Sequence, residues 1–105
     1  MTKKHDDFQD EFHAMSAYLT EHRAFWRCEI KAEGCIPSWL LPAHHIIRRG
    51  KGGTNDPSNL LIPCVSCGDH SNYQSGIKGM TIEEQFALAE KLNLKYGIPN
   101  KEAGI

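Results

Sequence analysis

Four cysteines in two pairs, Cys28 with Cys35 and Cys64 with Cys67, enclose two adjacent histidines, His44 and His45. These are the side chains of the sequence with the most chemistry in them. An even number of cysteines serves either two disulfides or one metal ion. Zinc takes four thiolates in a tetrahedron, with sulfur about 2.3 Å from the metal, and a site that uses all four positions is structural rather than catalytic. Cys64-Val-Ser-Cys67 has the spacing of a zinc knuckle, whereas Cys28 and Cys35, with Gly34 just before the second, stand further apart than a knuckle usually does. The chain starts Met-Thr-Lys-Lys-His-Asp-Asp and carries no apolar run resembling a secretory leader or a membrane span. A cytoplasmic protein without a membrane partner is expected, and in a reducing compartment zinc outweighs disulfides. The two histidines supply imidazoles, which exchange protons near neutral pH or bind metals. On a strand, neighbouring side chains point to opposite faces, so His44 and His45 cannot share one role.

The stretch between the cysteine pairs reads Ala43-His44-His45-Ile46-Ile47, then Arg49-Gly50-Lys51-Gly52-Gly53, Asn55-Asp56 and Ser58-Asn59-Leu60-Leu61, closing on Cys64. In this order and spacing it resembles the HNH endonucleases, whose signature is a His-Ile strand, a glycine-rich loop, an Asp-x-x-Asn-Leu strand and a cysteine knuckle leading into a helix. The resemblance spans residues 28–72 and implies a ββα-metal (HNH) fold holding one catalytic cation, Mg²⁺ or Mn²⁺, beside a structural Zn²⁺ on Cys28, Cys35, Cys64 and Cys67. It further implies that His45 is the general base, that His44 is a metal ligand and that Asn59 orients the base from the opposite strand. Phosphodiester hydrolysis needs a base to take the proton of the attacking water and a cation to stabilise the departing oxygen. In the commonest family form the residue after the second knuckle cysteine is His or Asn and completes the metal site. Here it is Gly68, so the ligand passes to Asn72, one helical turn on, with His70 and Asp69 as alternatives.

The elements that must position these groups follow from periodicity. Phe8, Phe12, Met15 and Leu19 fall on one stripe of a helix expected from about Asp6 to Arg27. Short strands are expected over His44–Arg48 and Leu60–Ile62, making an antiparallel hairpin whose long tip is the Gly, Asn and Pro-rich stretch from Arg49 to Asn59. A short helix is expected to begin near Gly68 or Asp69. A last helix is marked by the capping box of Thr81 and Glu84, by Ile82, Phe86 and Ala89 on one face, and by Gly97 and Pro99 at its end. The reading is one α+β domain of 1–105, divided into an N-terminal helix (1–27), a zinc-bound ββα core (28–76) and a C-terminal helix (81–97).

Charge narrows the partner. Twelve Lys and Arg against thirteen Asp and Glu leave a net −1, which excludes a strongly basic coat for nucleic acid. Arg48, Arg49 and Lys51 nevertheless form an acid-free cluster beside the histidines, and DNA phosphate is the partner they suit. A nuclease with so little net positive charge is expected to have low sequence specificity, to work as a homodimer or to depend on a partner protein. Small free-standing nucleases of the HNH type are frequent in phages and prophages, an origin that comes with the resemblance. The alternative function is a non-catalytic zinc-stabilised module that binds DNA or protein. A Cys-x-x-Cys redox protein ranks below both, because no βαβ pattern surrounds Cys64 and Cys67.

Overall fold

A computed structural model of the protein describes residues 3–31, 35, 39–69, 71 and 73–99. Helix α1 (Lys3–Leu19) runs into a π turn at Thr20–Ala24. Strand β1 (His44–His45), two 3-10 turns (Arg49–Lys51 and Pro57–Asn59), strand β2 (Leu60–Leu61) and helix α2 (Ile82–Tyr96) follow. This is a small α+β architecture built on a two-stranded antiparallel sheet, with His44 opposite Leu61 and His45 opposite Leu60. The strands are shorter than the sequence suggests. One further bond, from the Ile46 N–H to the Asn59 carbonyl at 2.8 Å, prolongs the ladder before residues 47–58 turn away as the loop.

The two helices cover opposite faces of this ribbon. Leu60 and Ala43 pack into a cluster with Leu19, Ala24, Ile62 and Ile98, against which Phe12 and Met15 of α1 lie. Leu61 and Ile46 pack instead with Ala89, and with Ile82, Leu88 and Leu92 of α2. Both faces are buried, which is why Leu60-Leu61-Ile62 is an unbroken apolar run rather than an alternating one. Each such side chain contributes about 1.5–3 kcal/mol by leaving water. The same alternation sends His45 toward α1 and His44 toward α2.

Helix α1 ends sooner than its periodicity implies. Thr20 Oγ1 donates to the Ser16 carbonyl at 2.8 Å, the turn widens, and Phe25 and Trp26 adopt left-handed φ values of 55° and 61°. A left-handed residue other than glycine costs about 1–2 kcal/mol. The widened turn buries Arg23, 2% exposed, at the centre of the fold. Its Nε and Nη2 donate to the two carboxylate oxygens of Glu29 at 2.7 and 2.9 Å. Nη1 donates to the Pro57 carbonyl at 3.0 Å and to Asn93 Oδ1 at 2.6 Å, and Nη2 also reaches the Leu60 carbonyl at 2.6 Å. Glu29 in turn accepts from the Ile62 N–H at 2.8 Å. One side chain thereby joins the end of α1, the turn after Cys28, β2 and α2.

Helix α2 is closed as its sequence implies. Thr81 Oγ1 accepts from the Glu84 N–H at 3.1 Å, Glu84 Oε1 accepts from the Thr81 N–H at 2.9 Å, and Gly97 caps the far end at φ 65°. Its buried face differs from the expected one. Gln85, Ala89 and Asn93 are buried, whereas Phe86 is 37% exposed, because the two amides serve His44 and Arg23.

The helix expected from Gly68 does not form among the described residues. Gly68 is held in a bridge with Ile77, and the described residues between them carry turns and a bend, with one helix-like bond from the Tyr73 N–H to the Asp69 carbonyl at 3.0 Å. Asp69 Oδ1 accepts from the backbone N–H and the hydroxyl of Ser71, a local turn that competes with a helical start. Among the described residues no helix is long and apolar enough to cross a membrane.

Candidate active site and metal centre

Cys28, Cys35, Cys64 and Cys67 converge from the two pairs, their sulfurs all within 4.8 Å of one another. They are free thiols, and the 3.4 Å between the Cys64 and Cys35 sulfurs is far beyond a disulfide bond. A zinc–sulfur distance of about 2.3 Å places tetrahedral sulfurs about 3.8 Å apart, so the cluster could hold a metal ion such as zinc. Backbone N–H groups of Cys64 and Lys31 point at the Cys28 sulfur at 3.2 and 3.4 Å, the kind of bond that favours a thiolate. Without a cation, burial first and the neighbouring Cys64 and Cys28 second push the Cys35 thiol well above its ordinary range. A bound cation reverses that preference by taking the thiolate directly.

His44 and His45 leave β1 on opposite sides, each met by a side-chain amide. His44 is buried, with Nε2 2.8 Å from Gln85 Oε1, and Gln85 Nε2 donates to the Ser75 carbonyl at 3.2 Å. His45 Nε2 lies 2.8 Å from Asn55 Oδ1, and Asn55 Nδ2 donates to the Phe8 carbonyl at 3.0 Å. The His45 ring stacks on Phe12 at 4.8 Å and 25°, and on Phe8 at 5.9 Å and 23°. His44, His45, Arg48, Lys51, Gln74 and Ser75 are among the residues that line a cavity of about 490 Å³.

The Asn59 side chain makes no hydrogen bond to His45. Its Oδ1 accepts from the Ile47 N–H at 2.9 Å, and its Nδ2 donates to the carbonyls of Ile47 at 3.0 Å and Thr54 at 2.9 Å. The buried amide therefore draws the two arms of the loop together, while Asn55 makes the contact with the imidazole that the sequence reading gave to Asn59. Gly53 permits the closure, since a Cβ there would fall 1.7 Å from the Ile47 carbonyl oxygen. Arg48 and Lys51 are exposed on this loop, and the Arg49 guanidinium lies 4.4 Å above the Phe8 ring, a cation–π contact that ties it to α1.

The two residues expected to complete a catalytic metal site, Asn72 and His70, lie outside the described residues. Gly68 has a packing reason to lack a side chain, because a Cβ would sit 2.7 Å from Cγ of Pro63. Among the described residues the four sulfurs are the one cluster of three or more metal-ligating His, Cys, Asp or Glu groups.

Sequence reasoning missed Asn55, Gln85, Arg23 and Glu29. Gln85 carried a signal, since it falls between Ile82 and Ala89 on the buried stripe of α2. Asn55 carried none, because an asparagine in a glycine-rich loop reads as a turn residue. No protein-family model, curated protein or solved structure matches the chain.

Proposed function

We propose that this chain is a metal-dependent DNA endonuclease of the HNH type, with His45 as general base and a structural zinc on the four cysteines. The observation that carries the reading is the cavity bordered at once by His45, His44, Arg48 and Lys51. Two adjacent histidines and two exposed cations line it, residue types that suit a phosphodiester and an attacking water. Arg48 and Lys51 make no side-chain hydrogen bond or ion pair among the described residues, so both are available for phosphate.

Nδ1 of a neutral His45 takes the proton of the water as its oxygen bonds to phosphorus and the bond to the 3′ oxygen breaks. Gln85 Oε1 accepts from the Nε2–H of a neutral His44, and the Ser75 carbonyl fixes which end of the amide faces the ring. His44 would hold Mg²⁺ or Mn²⁺ together with Asn72 or His70, and the ion would stabilise charge on the departing oxygen. The loop cations neutralise phosphate charge, and a second copy or a partner protein supplies the grip that a net charge of −1 does not.

Gly68 favours a second reading. With Pro63 filling the space where the family's usual ligand would project, the same fold also suits a zinc-stabilised module that binds DNA without cutting it. Plasmid nicking with Mg²⁺, Mn²⁺ or Ni²⁺, against an EDTA control, separates the two. Divalent-dependent nicks support the nuclease, and DNA binding without nicks under every ion supports the module.

A further inference from the structure

An asparagine side chain presents an acceptor at one end and a donor at the other, and its partners decide which end faces which. The Phe8 carbonyl can only accept, so the end of Asn55 that meets it at 3.0 Å is Nδ2, and the end 2.8 Å from His45 Nε2 is Oδ1. Oδ1 can only accept as well, so Nε2 of His45 carries the hydrogen. In the neutral ring the lone pair then resides on Nδ1. Among the described residues no buried side-chain nitrogen or oxygen lacks a partner. Nδ1 of His45 has no hydrogen-bond partner there, so solvent reaches it.

Resting on the reading of His45 as the general base, we propose that Asn55 is its positioning residue, fixing the imidazole as the Nε2–H tautomer with the Nδ1 lone pair open to solvent. The amide is well placed for the task. It is buried, the Thr54 carbonyl on one side is held by Asn59, and the Asp56 N–H on the other bonds Thr54 Oγ1 at 3.2 Å. Phe12 and Phe8 fix the plane of the ring by stacking, and the bond to Asn55 fixes its rotation within that plane. The first turns of α1 thereby belong to the site, since Phe8 supplies both the carbonyl that orients Asn55 and a ring that orients His45. Partners of this kind typically contribute about 10–100-fold to the function of the residue they orient.

The test pairs cleavage rates with ¹⁵N NMR of the histidine ring nitrogens in zinc-loaded protein. Wild type is expected to show His45 as the Nε2–H tautomer with an Nε2 proton protected from exchange. Asn55→Leu is expected to expose that proton and slow cleavage about 10–100-fold. Asn55→Asp keeps an acceptor facing Nε2 and is expected to restore the protected proton and most of the rate. An Nδ1–H tautomer in the wild type would overturn the proposal without any variant. So would a folded Asn55→Leu protein with unchanged ring signals and an unchanged rate. If the wild type fails to cut DNA with every divalent ion tried, the nuclease reading falls, and the ring signals of the three proteins alone decide whether Asn55 orients His45.

Discussion

Two polar constellations are built into the same hairpin, and they spend their hydrogen bonds differently. Arg23 has five guanidinium N–H groups, and Glu29, Pro57, Asn93 and Leu60 accept from every one of them. Nothing remains to offer a ligand, and the group links four segments of chain. His45 commits one nitrogen to Asn55 and keeps the other open to solvent beside two exposed cations. Saturation marks a side chain that holds the fold together, and a reserved lone pair marks one that can take part in a reaction. By that criterion the cysteine cluster belongs with Arg23, since a tetrahedral zinc would use all four sulfurs.

The largest effect is therefore expected at the cysteines. Zinc binding in small metal-dependent domains is worth about 10–16 kcal/mol at neutral pH, and it is folding free energy. Cys64→Ala, or chelation of the wild-type protein, should abolish the cooperative thermal transition seen by circular dichroism. Retention of that transition with no zinc by elemental analysis would place the cluster outside the fold-holding class.

Next comes Arg23→Ala, which leaves the Glu29 carboxylate buried without its partner. Breaking a buried pair in this way costs about 3–5 kcal/mol, a large part of the stability of any small domain. Denaturant unfolding should show that loss, while His45→Ala should change stability far less. If the two variants were equally destabilised, the distinction between saturated and reserved groups would break.

A smaller loss is expected where packing, not hydrogen bonding, excludes a side chain. Gly68→Ala forces a methyl group against the Pro63 ring and should cost about 1–3 kcal/mol. Unchanged stability would mean that the ring yields, and position 68 could then carry a ligand.

The smallest effect sharpens the functional side. Arg48→Ala and Lys51→Ala should leave stability alone and weaken DNA binding a few-fold each, about 1 kcal/mol or less in binding free energy, by an amount that shrinks as salt rises. Titrations at two salt concentrations check this, and unchanged affinity in the double variant would remove DNA from the role of the loop.

How much of this was legible in the sequence depended on whether a signal was local. The Thr81 box and the Gly97 stop of α2 lie within a turn of the residues they control, so that helix was readable nearly to the residue. The cysteine pairing and the hairpin were readable from spacing and from the apolar run at Leu60. Arg23 was not, although it occupies the next position of the Phe8, Phe12, Met15 and Leu19 stripe. A charged residue there usually escapes to solvent along its own stem. Glu29, with Asn93 and the backbone of Pro57 and Leu60 from distant parts of the chain, turns it inward. The turns after Gly68 were equally hidden, because the collision with Pro63 and the bridge to Ile77 exist only once the knuckle has folded. Asn59 was visible as part of a motif, but its geometry serves the loop, and the contact with His45 fell to Asn55.

The most direct measurement is the DNA cleavage rate as a function of Mn²⁺ concentration for wild type, His45→Ala and His44→Ala, each checked for zinc content and folding. His45→Ala should lose about 10²–10⁴-fold in maximal rate, the usual contribution of a positioned base, with its dependence on Mn²⁺ unchanged. His44→Ala should instead need more Mn²⁺ and recover part of its rate when the ion is in excess. Cleavage by His45→Ala at the wild-type rate, or no cleavage by the wild type with any divalent ion, would contradict the assignment of His45 as the base of a nuclease.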